Sequence, residues 1–169
     1  MLQSNFSALI DDRPEENLFR IHRRIYTDQD VFEAEQERIF EQSWTYVCHE
    51  SQIPKPGDYY AVNLGREPVL INRRDDGSVG GLLNACAHRG ALLNPTQRGN
   101  ARILVCRYHG WSFAADDGRC VKIKDPFGED PACYALRKVA RVESYKGFVF
   151  ATLNEAAPSL VEHLGAAST

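Results

Sequence analysis

Two short stretches of the chain each combine a thiol with an imidazole. The first, Cys86–Gly90, reads Cys-Ala-His-Arg-Gly, and the second, Cys106–Trp111, reads Cys-Arg-Tyr-His-Gly-Trp. Sulfur and imidazole nitrogen are donors that zinc and iron accept in proteins. In both stretches a glycine directly follows the histidine, and glycine lets the backbone turn sharply. The spacing therefore predicts two tight loops that present two thiols and two imidazoles to one metal centre.

The pairing of one cysteine with one histidine on each loop favours an iron–sulfur centre. A Cys-x-His unit followed by a Cys-x-x-His unit is the ligand pattern of a Rieske [2Fe–2S] cluster, in which two thiolates hold one iron and two imidazoles hold the other. Cys86 and Cys106 would then bind the first iron, and His88 and His109 the second. A structural zinc site is the alternative, because the same four donors suit tetrahedral zinc. Zinc spacings commonly pair like with like, however. A metal-free protein is the third reading.

The residues next to the ligands predict a reduction potential in the lower part of the Rieske range. High-potential Rieske proteins join their loops by a disulfide, but the corresponding positions here are Ala91 and Tyr108. They also place a serine where this chain has Trp111, so one hydrogen bond to sulfide is missing. Rieske potentials span roughly −150 to +300 mV and depend on hydrogen bonds to sulfur. We interpret Trp111 as packing beneath its loop. Arg89 is read either as a charge facing the centre or a partner, or as a surface residue in a loop ion pair.

Further motifs surround the two loops. They are Trp44–Val47, His49–Pro54, Pro56–Tyr59, Asn84–Ala91, Gly99–Ala101, Cys106–Phe113, Lys122–Pro126, Glu143–Phe150 and Leu160–Gly165. Over residues 12–165 the chain resembles the large (alpha) subunit of the Rieske non-haem iron aromatic-ring-hydroxylating dioxygenases. Within this family, His49–Pro54 and the Lys-Asp-Pro at 124–126 resemble the benzoate, toluate and anthranilate group.

The resemblance implies a role in electron transfer. In this family the Rieske domain passes electrons from a reductase or ferredoxin to a mononuclear non-haem Fe(II), which dihydroxylates an aromatic substrate, here expected to be carboxylated. The partners that it implies are that electron donor, the catalytic domain of the same or a neighbouring alpha subunit, and a small beta subunit. The Rieske ligands that it implies are again Cys86, His88, Cys106 and His109.

The chain is much shorter than the alpha subunits that it resembles. Their second half holds the mononuclear iron with two histidines and a carboxylate, a facial triad that leaves positions open for oxygen chemistry. The other three histidines here, His22, His49 and His163, are scattered along the chain. We therefore expect the amino-terminal Rieske portion of an oxidoreductase, without catalytic residues and inactive alone. A free-standing Rieske ferredoxin is the alternative, although such ferredoxins usually lack an amino-terminal extension like the one in this chain.

Composition agrees with a compact domain and excludes several classes. Of the 169 residues 43% are hydrophobic, enough for one core. A net charge of −3 gives no reason to expect nucleic-acid binding. No apolar run approaches the ~18 residues that cross a bilayer, and the first residues lack a secretory signal. The prediction is a cytoplasmic protein that does not contact membranes, with Cys48, Cys120 and Cys133 as free thiols.

Local patterns predict three parts of the chain. Residues 1–43 form an amino-terminal extension in which Asp11–Pro14 is a loop and a helix covers about 28–42. Thr27 and Asp30 would form its capping box. Residues 44–155 form the Rieske domain, and 156–169 begin a linker to a catalytic domain that this chain lacks. The predicted buried face of the helix consists of Val31, Phe32, Ile39 and Phe40.

Short strands between turns predict a mainly β fold from residue 44 onward. The expected strands are Trp44–Cys48, Tyr59–Leu64, Pro68–Asn72, Val79–Asn84, Arg102–Arg107, Trp111–Ala114, Val121–Lys124, Lys138–Glu143 and Phe148–Leu153. Gly- and Asp-rich turns between them favour an antiparallel β-sandwich of the Rieske type. The two loops would be hairpin tips on a small four-stranded cluster-binding subdomain. Residues 123–137, rich in proline and acids, are predicted to form a long surface loop.

Overall fold

The computed structural model describes residues 6–124, 128 and 130–169. Its strands, in chain order, are β1 (Ile10–Arg13), β2 (Leu18–Ile21), β3 (Thr45–His49), β4 (Asp58–Leu64), β5 (Glu67–Arg73), β6 (Val79–Leu83), β7 (Arg98–Asn100), β8 (Ile103–Val105), β9 (Ser112–Ala114), β10 (Cys120–Lys122), β11 (Arg141–Tyr145) and β12 (Phe148–Thr152). The α-helices of this part of the chain are α1 (Gln29–Glu35) and α2 (Leu160–Leu164), and Gln36–Phe40 is a π-helical turn. Its 3₁₀ turns are Phe6–Leu9, Pro14–Glu16, Arg23–Tyr26, Glu50–Gln52, Pro131–Cys133 and Gly165–Ser168. No helix of the described residues is long and apolar enough to cross a membrane.

Two antiparallel sheets form the body of the molecule. One has the strand order β6-β5-β4-β7 and the other β11-β12-β3. Val69 and Ile71 of β5, Val149 of β12 and Val47 of β3 belong to one buried cluster, which joins the two sheets. β-Branched side chains fit such a pleated, buried surface well. The predicted antiparallel β-sandwich is confirmed.

Strand β5 also supports a second core, which lies beneath the metal-binding loops. Because successive side chains of a strand point to opposite faces, Leu70 leaves the sandwich core and packs with Leu104 and Phe113. These two residues come from a third antiparallel sheet of order β10-β9-β8. The same cluster contains Cys86 and Cys106. The loops therefore stand on a core that is shared with the large sheet.

Polar contacts also fasten the small sheet to the large one. The Asn72 side chain of β5 donates from Nδ2 to the Ala115 carbonyl at 2.7 Å. Arg102 Nη1 lies 2.8 Å from the Asp75 carboxylate, and the Asp75 amide donates to Asp116 at 2.9 Å. These contacts hold the base of the β8–β9 hairpin in a fixed orientation to the sandwich.

The subdomain that carries the loops differs in detail from the prediction. Its own sheet has three strands rather than four. The unpredicted strand β7 instead extends the large sheet along β4. Arg98–Asn100 is polar and exposed, so it has no apolar alternation that would reveal a strand. The other strands lie where they were predicted, with ends that shift by a few residues.

The largest shift occurs before β11. The prediction began this strand at Lys138, whereas β11 begins at Arg141. Lys138 instead forms a single antiparallel bridge with Leu82, and the Leu83 amide donates to the Arg137 carbonyl at 2.8 Å. The segment follows the edge of β6 first and joins β12 only afterwards, which a local pattern does not reveal.

The helix predicted over 28–42 is shorter in the structure, and its N-cap lies one residue later in the chain than predicted. Asp28 is the N-cap, and its carboxylate accepts the Asp30 amide at 3.0 Å. Thr27 ends the preceding 3₁₀ turn, so the predicted Thr27 capping box is wrong. After α1 the chain widens into the π-helical turn, which the Glu41 amide closes onto the Gln36 carbonyl at 2.9 Å.

The predicted buried face of this helix is also mostly wrong. Val31 is buried, but Phe32, Ile39 and Phe40 are 47%, 51% and 40% exposed. The side that packs on the sandwich is polar instead. Arg66, at the turn between β4 and β5, forms ion pairs of 2.8 Å with both Glu33 and Glu41. The extra residue of the π-helical turn breaks the 3.6-residue period at Ile39 and Phe40, whereas Phe32 lies before this turn and is exposed within α1 itself.

The amino-terminal segment contains a hairpin that the sequence did not indicate. Strands β1 and β2 pair antiparallel, with Ile10 opposite Ile21 and Arg13 opposite Leu18. The predicted loop over Asp11–Pro14 is therefore wrong for its first three residues. Arg13 forms ion pairs with Asp11 and Glu16, which neutralise the acidic hairpin locally.

The carboxyl-terminal residues fold back onto the sandwich. Ser159 and Glu162 form a capping box that begins α2. Leu160 of this helix packs with Trp44 and Ala157, and the Trp44 indole donates to the Pro158 carbonyl at 2.9 Å. The division at residues 43 and 155 and the role of 156–169 as a linker stay predictions.

The predicted surface loop 123–137 is only partly described. Asp125 and Pro126, which belong to one of the family motifs, lie outside the described residues. Ile123 and Leu136, at the two ends of this segment, are buried in the core beneath the loops. The segment is therefore anchored at both ends.

Candidate metal centre

The first loop, residues 86–91, follows β6 and closes on itself. The Cys86 amide donates to the Ala91 carbonyl at 2.9 Å, and the Gly90 amide donates to the Cys86 carbonyl at 2.8 Å. Gly90 has φ = 69°, in the left-handed region that L side chains rarely adopt. Beside the loop, Ala85 and Leu92 form an antiparallel bridge. This geometry turns Cys86 inward and brings His88 to the tip.

The second loop, residues 106–111, joins β8 to β9 and repeats the same hydrogen bonds. The Cys106 amide donates to the Trp111 carbonyl at 2.8 Å, and the Gly110 amide donates to the Cys106 carbonyl at 2.9 Å. Gly110 has φ = 74°. In this loop the histidine stands one position later than in the first. The predicted hairpin tip is confirmed for this loop.

The fold brings all four predicted ligands together. The ring centroids of His88 and His109 are 4.7 Å apart. Cys86 and Cys106 are both buried beneath them, and their side chains contact each other through a thiol hydrogen bond. Two sulfurs thus lie side by side at depth, and two half-buried imidazoles lie side by side near the surface.

The donors of this site occur in two like pairs. Among the described residues, no three His, Cys, Asp or Glu side chains converge as the ligands of one metal ion would. A Rieske cluster needs one pair of thiolates and one pair of imidazoles on separate irons. The donor set and its division into pairs fit that group.

The surroundings favour the neutral forms of two of the predicted ligands, Cys86 and His109. Burial raises the pKa of the Cys86 thiol; the His88 amide, which donates to its sulfur, opposes this, and the Cys106 thiol raises the pKa further. Burial lowers the pKa of His109, and the neighbouring His88 and Arg89 lower it further. A neutral imidazole is the form that binds a metal, whereas the thiols must release their protons on binding. Binding of a metal by these thiols would therefore release protons.

Aromatic side chains hold the two imidazoles in place. The buried Trp111 indole stacks on the His88 ring, with centroids 4.8 Å apart and planes 7° from parallel. Tyr134 meets the same indole edge-on at 4.9 Å. Tyr108 lies over His109 at 3.9 Å but is itself 64% exposed. The interpretation of Trp111 as a packing residue is confirmed, and its ring contact is with His88, a predicted ligand on the other loop.

The remaining histidines lie in other surroundings. His49 ends β3, where its ring accepts the Ser51 amide at 3.2 Å and meets Phe148 edge-on. His22 caps a 3₁₀ turn in the amino-terminal segment. His163 lies in the last turn of α2.

The other cysteines differ in their relation to the site. Cys48 lies in the sandwich core, where burial raises the pKa of its thiol to about 11. Cys120 belongs to the core beneath the loops. Cys133 is exposed and lines a cavity of about 440 Å³ together with Cys86 and Gly90. Sequence spacing gave no signal for Cys133 or Tyr134, because only the segment that returns to the loops after residue 130 brings them there.

The geometry and the donor set define a Rieske-type domain. Residues 43–145 match the family model described as Rieske [2Fe-2S] domain, and the chain belongs to this family. The cofactor of the family is a [2Fe–2S] cluster.

Relatives among characterised proteins agree with the predicted resemblance. The chain is 40% identical to the toluate 1,2-dioxygenase subunit alpha of Pseudomonas putida, over 94% of this chain and 36% of that protein. It is also 40% identical to the anthranilate 1,2-dioxygenase large subunit of Acinetobacter baylyi, over 96% of this chain and 35% of that protein. The resemblance to dioxygenase large subunits is confirmed. The chain spans about a third of the length of these relatives.

Solved structures show the same fold. Naphthalene 1,2-dioxygenase from Rhodococcus sp., bound to indole, superposes with a TM-score of 0.80 at 33% identity, over 88% of this chain and 34% of that one. A quaternary ammonium Rieske monooxygenase in complex with L-carnitine superposes with a TM-score of 0.74 at 31% identity, over 83% of this chain and 40% of that one. Each match covers less than half of the solved chain, 34% of the first and 40% of the second.

Proposed function

We propose that Cys86 and Cys106 bind one iron of a [2Fe–2S] cluster and that His88 and His109 bind the other. The observation that carries this proposal is the meeting of the two loops, which places thiol beside thiol and imidazole beside imidazole. The matched hydrogen bonds of the loops support it, because they fix both cysteines before any metal binds. Such a cluster supplies one-electron transfer when it is bound.

The two pairs of proposed ligands would have different roles, because the cysteines are buried and the histidines are not. The buried cysteines keep solvent from the sulfur side of the site. The two histidines reach the surface, where one ring nitrogen of each can bind iron and the other can face a partner. An electron would therefore enter or leave through the imidazole edges, which lie nearer to solvent than the sulfurs.

The function that follows is an electron relay within an oxygenase. We infer that this domain accepts electrons from a reductase or ferredoxin and passes them to a mononuclear iron in a catalytic domain of the same or a neighbouring alpha subunit. A small beta subunit completes the proposed assembly. We place the protein in the reducing cytoplasm, where disulfides are rare, and propose that Cys48, Cys120 and Cys133 are free thiols there.

The proposed substrate is an aromatic acid, and it would bind outside this domain. Support comes from the toluate and anthranilate dioxygenases among the relatives. The same domain fold also occurs in proteins named for naphthalene and for quaternary ammonium compounds. We therefore propose that the specificity for the substrate is determined outside the Rieske domain.

Metal analysis of the purified chain tests the ligand assignment. The protein is reconstituted anaerobically with iron and sulfide, and iron, acid-labile sulfide and zinc are measured with the visible and electron paramagnetic resonance spectra. The proposal expects two irons and two sulfides per chain and a paramagnetic signal after one-electron reduction. A colourless protein with one zinc per chain would overturn it.

A further inference from the structure

The stack of Trp111 on His88 has a second aromatic support. Tyr134 meets the Trp111 indole with ring centroids 4.9 Å apart and planes at 72°, an edge-to-face arrangement that aromatic rings prefer. His88 lies on the same indole at 4.8 Å and nearly parallel to it. The three rings come from the first loop, the second loop and the segment that returns to the loops after residue 130. They form one row with the indole in the middle.

Backbone contacts fix the position of Tyr134. Its carbonyl accepts the Cys120 amide of β10 at 3.1 Å. Two residues later, the Leu136 amide donates to the Gly118 carbonyl at 2.8 Å, and Leu136 is buried in the core beneath the loops. Strand β10 pairs in turn with β9, which directly follows Trp111. The backbones that carry the tyrosine and the indole are therefore connected through one small sheet.

Open space beside the first loop explains why this support matters. Tyr134 lines the cavity of about 440 Å³ that Cys86 and Ala87 also line. The indole is buried, and the half-buried Tyr134 ring stands between it and this cavity. A side chain beside an empty space loses the packing contacts on that side. Without a ring at position 134, the indole would have room to turn away from His88.

We infer that Tyr134 is a positioning residue of the electron-transfer site, and this inference rests on the proposed function. Its ring holds the Trp111 indole against His88, and the indole holds the His88 imidazole in one orientation. Residues outside the ligand set tune a metal centre by orienting its ligands. Here that orientation decides which way the two ring nitrogens of His88 point. Tyr134 lies outside both ligand motifs, and only the returning segment brings it into this role.

Tyr134→Leu tests the inference, because leucine keeps an apolar side chain but removes the ring. In the metal-free chain, the shift that the indole imposes on the His88 ring protons should be largely lost. In the cluster-loaded chain, the electron paramagnetic resonance spectrum should show a changed nitrogen coupling at one histidine only. Iron loss to a chelator should be about tenfold faster. Tyr134→Phe keeps the ring and should restore all three readouts.

A double-mutant cycle shows whether Tyr134 acts through the indole. In a Trp111→Ala background, Tyr134→Leu should change the His88 resonances no further, because the connecting ring is already missing. A full additional effect in that background would overturn the inference.

The matched control is Tyr145→Leu. Tyr145 is also half-buried, and it packs in the cluster around Trp44, away from the loops. Its replacement should lower the thermal stability to a similar extent and leave the His88 resonances unchanged. Equal changes of these resonances in both variants would overturn the inference, since they would reflect general destabilisation.

The remaining outcomes separate this inference from the proposed function. A chain that assembles no cluster overturns the proposed function, and the metal-free resonances alone then decide whether Tyr134 fixes His88. A chain that assembles the cluster, but in which Tyr134→Leu leaves the His88 resonances and the iron loss unchanged, overturns only the positioning role. Failure of Tyr134→Phe to restore the readouts would also overturn it, because the ring would then not be the part of Tyr134 that acts.

Discussion

The two loops of the site have the same backbone frame but different supports. In both, the cysteine amide bonds to the carbonyl five residues later, and a left-handed glycine bonds back to the cysteine carbonyl. The second loop closes a regular hairpin of β8 and β9. The first loop follows β6, and one isolated bridge between Ala85 and Leu92 closes its base.

Side chains compensate for the weaker base of the first loop. The buried Asn84 donates from Nδ2 to the Asn94 carbonyl at 2.8 Å and accepts the Asn94 amide at 2.9 Å. The His88 ring leans on Trp111 of the second loop, whereas the residue that corresponds to Trp111 in the first loop is Ala91. Trp111 of the second loop therefore supports the first loop, whereas the first loop has only the small side chain of Ala91 at the corresponding position. We expect disturbances of the second loop to spread further.

Loss of a ligand from either loop should have the largest effect. His88→Ala and His109→Ala should each abolish the cluster, because both histidines are proposed to bind the same iron and neither loop can replace the other. Iron and sulfide content and the visible spectrum measure this. His22→Ala, His49→Ala and His163→Ala are the controls and should keep the full cluster content. A stable, fully loaded His109→Ala protein would contradict the equal roles of the loops.

Removal of the tryptophan should show that the loops depend on each other. Trp111→Ala should lower the free energy of unfolding by about 3–5 kcal/mol, as expected for a large buried side chain. It should also shift the ring-proton resonances of His88 in the metal-free chain, because the stacked indole is lost. Trp111→Phe keeps an aromatic ring. It should therefore retain most of the free energy of unfolding and most of the shift that the ring imposes on the His88 resonances.

The control for this prediction is the equally buried Trp44. Trp44→Ala should destabilise the chain to a similar extent, since both side chains are 5% exposed. Trp44 packs against Leu160 rather than near the loops. The His88 resonances should therefore stay unchanged, and a shift of equal size in both variants would rule out a specific stack.

Truncation of Asn84 should affect the first loop alone. Asn84→Ala leaves the Asn94 amide and carbonyl without their buried partner, which we expect to cost roughly 1–3 kcal/mol. Urea unfolding measures the loss, and hydrogen exchange should show faster exchange in residues 85–94 but not in the second loop. The control is Asn63→Ala, at an exposed position of β4, which should change neither the urea unfolding nor the hydrogen exchange of residues 85–94. Faster exchange in the second loop after Asn84→Ala would show that the support runs in both directions.

Substitution of the two glycines should give the smallest and most similar effects. Gly90→Ala and Gly110→Ala should each cost about 1–2 kcal/mol, because alanine is strained at positive φ. A Cβ at Gly90 would meet nothing within 4 Å, and a Cβ at Gly110 would lie 3.1 Å from Cδ of the exposed Lys124 side chain. Thermal unfolding should therefore give nearly equal losses. A much larger loss for Gly110→Ala would show that Lys124 is held rigidly against the second loop.

The accuracy of the sequence predictions differs between the site and the amino-terminal segment. The ligand motifs and most strands were predictable, because short-range spacing and turn residues specify them. The segment before residue 44 was not, since the π-helical turn at Gln36–Phe40 breaks the helical period. Apolar periodicity also assigned Phe32 and Ile39 to a core, whereas Arg66 holds the opposite, polar side against the sandwich.

The sequence by itself determined the donor atoms, the two loops and the mainly β character of the chain. These depend on residue type and on neighbours a few positions away. Only the tertiary structure decided that Trp111 supports His88 of the other loop and that Cys133 and Tyr134 adjoin the site. Contacts between residues distant in the chain depend on how the sheets pack, and a local pattern carries no record of that packing.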